Sequence, residues 1–72
     1  MTNTEKLEEK IAQSGKKKQY LADKIGLTPN GFRNCVTNKT EFRASHIKIL
    51  CDELNITDPD EKEAIFFAQL GS

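Results

Sequence analysis

Residues 17–37 read KKQYLADKIGLTPNGFRNCVT, and this stretch decides the fold. Leu21, Ala22 and Ile25 fall at i, i+1 and i+4, one apolar helix face over about Lys17–Ile25. Gly26 closes that helix, because glycine takes the left-handed backbone of a helix end without steric cost. Thr28-Pro29 opens the next one. The threonine hydroxyl can accept a leftover N–H of the first turn, and proline at the first helical position has no N–H to lose. This helix runs from Pro29 to about Thr37 and ends in the loop Asn38-Lys39-Thr40. Two short helices joined by the tight turn Gly26-Leu27-Thr28 are the expected centre of the molecule.

The second helix of the pair has two contrasting sides. Phe32, Cys35 and Val36 gather on one, while Asn30, Arg33, Asn34 and Thr37, at i, i+3, i+4 and i+7, gather on the other. The polar side carries no carboxylate. Its side chains can meet base edges or phosphates, arginine pairing in bidentate fashion with guanine and asparagine with adenine. Asn and Thr are poor helix formers, so a stripe of them is a cost in helix propensity that a binding task would explain. A short, marginal surface helix would look the same.

Outside this pair the breakers recur every ten or so residues and mark three more helices. Thr4 is placed to cap the first, Leu7 and Ile11 give its inner face, and Ser14-Gly15 ends it. Ser45 is placed to cap the fourth, whose Ile47, Leu50, Cys51 and Leu54 make one apolar face. Asp58-Pro59-Asp60-Glu61 opens the fifth, with Asp58 as cap, Pro59 at the first position and Glu61 reaching back as a capping box. No stretch alternates with period two, so the expectation is an all-α, compact five-helix domain spanning residues 1–72.

The chain has 72 residues and 8.1 kDa, enough for one small domain. No apolar run approaches the roughly 20 residues of a membrane-spanning helix, and the polar start Met1–Lys10 does not read as a secretory signal. Two cysteines in such a chain read as reduced thiols, and the expected compartment is the cytoplasm. The formal net charge is zero, but it is unevenly spread. Residues 14–50 hold eight Lys and Arg against two acidic residues, a net +6, while residues 51–72 carry −5. Such asymmetry matters more to a polyanion than the total does, although a lysine run alone is more often a solvated surface.

The stretch KKKQYLADKIGLTPNGFRNCVTNKTEFRASHIKILCDELNI resembles the helix-turn-helix core of the lambda-repressor and Cro-type phage regulators. The matching features are Leu21-Ala22, Ile25-Gly26 at the turn, Thr28 before the recognition helix, Phe32 and Cys35 as its buried positions, and the close LCDELNI. The resemblance covers roughly residues 5–57. It implies a lambda-repressor-like DNA-binding domain with its helix-turn-helix at the second and third helices, and a small phage or prophage regulator of transcription. Double-stranded DNA, a palindromic operator, would then be bound by a homodimer. It places Pro29, Asn30, Arg33 and Asn34 at base edges, with Arg33 the strongest contact. Phosphate contacts fall to Lys17, Lys18, Thr28, Thr37, Asn38, Lys39, Thr40 and Arg43. Two positions depart from the family: Lys18 stands where a glutamine is frequent, and Pro29 offers no hydrogen-bonding group. With no second domain expected, control would come from concentration and cooperative binding, without a small-molecule ligand or cofactor. Two other readings stay open: a DNA-binding antitoxin of a toxin–antitoxin pair, and a helical protein-interaction module that does not bind DNA.

The remaining candidates are weaker. Cys35, His46 and Cys51 lack the close cysteine pair of structural zinc sites and a fourth ligand, so no metal is expected. Ser45 has no His-Asp partner set, and no phosphate loop or paired-carboxylate pocket is present, so no enzyme is expected. His46, in the first turn of the fourth helix, reads as solvated or phosphate-facing. Tyr20 can donate to phosphate or cover the stems of Lys17 and Lys24. The tail within residues 58–72, AIFFAQL, either folds back as the lid of the core or makes a dimer contact through Phe66 and Phe67. One phenylalanine inside and the other across an interface would satisfy both.

Overall fold

Five helices and no strands make up residues 1–68, which the computed structural model describes; Gln69 and Leu70 of the tail lie outside them. The helices are α1 (Thr4–Ser14), α2 (Lys18–Lys24), α3 (Pro29–Val36), α4 (Ala44–Glu53) and α5 (Pro59–Phe66). No helix among the described residues is long and apolar enough to cross a membrane.

Four helices end on a left-handed residue, and Gly15 at φ 71° closes α1 in this way. After α2, Gly26 sits at φ 78°, its N–H donating to Asp23 and that of Leu27 to Ala22, which satisfies carbonyls the helix leaves open. Asn38 after α3 (φ 67°) and Asn55 after α4 (φ 57°) take the same left-handed turn. There Lys39 donates back to Asn34, and Ile56 to Cys51. Asparagine tolerates this backbone better than other residues with a side chain. The helix starts expected at Thr28 and Asp58 form: Thr28 Oγ1 accepts from Gly31 N at 3.0 Å, and Asp58 Oδ1 from Asp60 N at 2.9 Å.

The other starts differ from the sequence expectation. Asn3, not Thr4, caps α1, its Oδ1 accepting from Lys6 N at 3.1 Å. Thr4 is drawn into a tertiary bond instead, its hydroxyl donating to the Val36 carbonyl at 2.6 Å. Helix α2 begins one residue later than expected, with Lys17 at the cap position and no side-chain cap. Ser45 does not cap α4; the helix starts after Arg43, whose N–H donates to His46 Nδ1 at 3.3 Å. The imidazole thus closes the first turn. Glu61 forms an ion pair with Lys10 of α1 at 3.1 Å in place of the reach-back to Asp58.

Every helix contributes to one core. Leu7, Leu21 and Leu50 are fully enclosed, with Ile11, Ile25, Phe32, Val36, Ile47, Ile65 and Phe66 around them. Helix α2 packs on α3 and α4, and α1 on α5. Phe42, in the loop before α4, meets Phe32 edge-on at 6.1 Å, Phe66 at 5.7 Å and His46 at 6.5 Å. Such edge contacts add about 0.5–1.5 kcal/mol per pair to the apolar area they bury. Phe66 is therefore a core residue and cannot serve as a dimer contact, whereas Phe67 is exposed.

Candidate nucleic-acid interface

The outward side of α3 is built by what its inward side buries. Phe32, Cys35 and Val36 are enclosed, so the 3.6-residue repeat turns Asn30, Arg33 and Thr37 to solvent, with Asn34 half-buried at the edge. Pro29 is exposed at the helix start. The four residues expected at base edges thus share one end and one side of α3. Among the described residues Arg33 has no ion-pair partner, and its guanidinium is available to a ligand.

The expected phosphate contacts divide into two groups. Lys17, Lys39 and Arg43 are exposed and make no ion pair among the described residues. The others are already engaged. Lys18 is paired with Glu8 of α1 at 2.7 Å. The Thr37 hydroxyl donates to the Arg33 carbonyl at 2.8 Å, and the Thr28 oxygen caps α3. Thr40 Oγ1 lies 3.3 Å from Cys35 Sγ. Asn38 is the plainest departure, because its amide is spent at both ends on the backbone of Thr2.

A groove between α1, the start of α2 and α3 is lined by Glu8, Lys18, Gln19 and Arg33. Gln19 and Glu8 were not among the residues singled out from the sequence. Gln19 had a signal, an amide in the first turn of α2; Glu8 had none, since its place beside Lys18 depends on how α1 and α2 cross.

Beyond the groove, Lys16 bridges to the end of α4, donating to the Glu53 carbonyl at 2.7 Å and to its Oε1 at 2.9 Å. That hydrogen bond is the first cause holding the Glu53 carboxyl below its ordinary pKa. The same ammonium and that of Lys24 stand 5.8 and 5.5 Å from the centre of the Tyr20 ring, so Tyr20 covers lysine charge. The lysines that meet its ring are Lys16 and Lys24, where Lys17 and Lys24 had been expected.

Both thiols are free and buried. Burial pushes the Cys51 pKa up, which keeps it a small apolar group. Among the described residues no three of His, Cys, Asp and Glu gather as metal ligands. The chain matches no family model, no curated protein and no solved structure.

Proposed function

We propose that this chain is a sequence-specific duplex-DNA-binding regulator of transcription, of the lambda-repressor and Cro kind, in which α2 and α3 act as the helix-turn-helix. The observation that carries the reading is the acid-free outward side of α3, with Asn30 and Arg33 in solvent while Phe32 and Val36 are buried. Helix α3 enters the major groove, where arginine and asparagine reach base edges in two-bond geometries. Lys39 and Arg43, in the segment between α3 and α4, meet the flanking phosphates, and Lys17 does so before α2. Two copies pair through the exposed Phe67, and the acidic end of the chain stays clear of DNA. One recognition helix binds weakly, and a two-fold pair reads two half-sites.

The test is a fluorescence-anisotropy titration of the chain against duplex from upstream of its own gene and against scrambled duplex, at two salt concentrations. Tighter binding to the upstream duplex, weakening with salt, is the expected result. No binding to either duplex at low salt would sink the reading and favour a helical module that binds protein.

A further inference from the structure

The outward side of α3 excludes acidic residues, yet a carboxylate stands beside it. Glu8 is brought there by α1, ten positions before its partner Lys18, and shares a groove with Arg33. Its pair with Lys18 is the shortest of the three ion pairs among the described residues, at 2.7 Å against 2.9 and 3.1 Å. The other two lie elsewhere, tying α1 to α5 and the link between α1 and α2 to the end of α4. The second carboxylate oxygen of Glu8, Oε1, is closed off from solvent and has no hydrogen-bond partner among the described residues, so the Lys18 ammonium is the one charge compensating this carboxylate.

We propose that Glu8 is an affinity-limiting residue of the DNA-binding face. It occupies the Lys18 ammonium in the free protein, so a phosphate reaches that lysine only by displacing a carboxylate and then sits close to it. This rests on the DNA-binding reading above and adds a term to it. Of the lysines around α2, Lys17 attracts phosphate at full strength, whereas Lys18 contributes little until Glu8 is neutralised. A chain with zero net charge gains selectivity this way, because binding to arbitrary duplex is almost wholly a phosphate effect while the Arg33 contact depends on sequence.

The test compares the wild-type chain with Glu8→Gln, Lys18→Gln and the double variant on scrambled duplex, at a series of salt concentrations. Glu9→Gln, an exposed neighbour outside that groove, controls for the change in overall charge. Glu8→Gln is expected to tighten binding about 5- to 10-fold at low salt and to steepen the logarithmic salt dependence by roughly 0.9, the increment of one added phosphate contact. Lys18→Gln is expected to change wild-type affinity less than about 2-fold and to abolish the gain when combined with Glu8→Gln. If wild type binds and Glu8→Gln binds no better, or no better than Glu9→Gln, the role of Glu8 is overturned while DNA binding stands. If none of the variants binds even at low salt, the DNA reading itself fails, and this inference with it.

Discussion

The side-chain amide of Asn38 holds both backbone groups of Thr2: Oδ1 accepts the Thr2 N–H at 2.8 Å, and Nδ2 donates to the Thr2 carbonyl at 2.9 Å. Two residues on, the Thr4 hydroxyl reaches the Val36 carbonyl, so the start of the chain is fastened to the end of α3 at two points. The same segment is tied to α5 and the tail, with Asn3 N–H donating to Ile65 at 2.6 Å and Ala68 N–H to Met1 at 2.8 Å. The position of α3 is thereby set from both ends of the chain.

Asn38 therefore has two separable roles, a left-handed backbone and a two-sided amide. Asn38→Gly keeps the first and loses the second, and is expected to cost about 1–3 kcal/mol for two hydrogen bonds. Asn38→Ala loses both, and the left-handed backbone adds a further ~1–2 kcal/mol. Urea unfolding of the two variants checks the order: Asn38→Ala the less stable, and Asn38→Gly between it and wild type. If Asn38→Gly left stability untouched, the clasp on Thr2 would be irrelevant to the fold.

On the proposed function, Arg33 and Lys39 act on different parts of DNA, and their variants differ accordingly. Arg33→Ala is expected to reduce the preference for the upstream duplex by about 1–3 kcal/mol, the worth of one bidentate base contact. Lys39→Gln is expected to weaken both duplexes equally and to flatten the salt dependence by roughly 0.9. An Arg33→Ala chain with undiminished preference would move base reading off α3.

The bridge from Lys16 to Glu53 gives a pH dependence with a definite sign. The fold holds the Glu53 carboxyl below its ordinary value of 4.5, chiefly through the Lys16 hydrogen bond. The charged form is thus favoured in the folded state, and the stabilisation is present above that value and is lost as pH falls through it towards the folded pKa. Lys16→Met removes the partner. In urea unfolding between pH 6 and 3, the variant is expected to lose less stability than wild type over the lower part of that range. Parallel curves for the two chains would show the bridge to be energetically silent.

What the sequence made legible was local. Apolar spacing in Leu21, Ala22, Ile25, Phe32 and Val36, with Gly26 and Thr28-Pro29 between them, is enough to draw α2, the turn and α3, because each signal acts within one turn of chain. Thr4 shows where this stops. Asn3 and Thr4 are both good caps, and what separates them is the Val36 carbonyl, 32 residues away, which claims the threonine hydroxyl. Lys18 and Asn38 are likewise engaged within the chain, and sequence spacing does not show it, since their partners come from α1 and from the first residues of the chain. Phe42 carried no periodic signal at all, being a loop residue that becomes the meeting point of three rings only after α3, α4 and α5 have packed.

The adjacent phenylalanines at the end of α5 separate core from surface most sharply. Phe66 is 3% exposed and Phe67 52% exposed, so the same substitution at neighbouring positions has opposite readouts. Phe66→Ala removes a ring packed edge-on against Phe42 and is expected to cost about 3–5 kcal/mol, as large-to-small changes in a core do. In a domain this small, that loss leaves little folded chain at room temperature. Phe67→Ala is expected to leave the stability of one chain within about 0.5 kcal/mol, since the ring stands in water. Its effect falls on association. Sedimentation equilibrium should show the wild type pairing at concentrations where Phe67→Ala is monomeric, with a matching loss of affinity for a two-half-site duplex but not for a single half-site. A Phe67→Ala chain that dimerises as well as wild type would place the two-fold contact on another face, away from the tail.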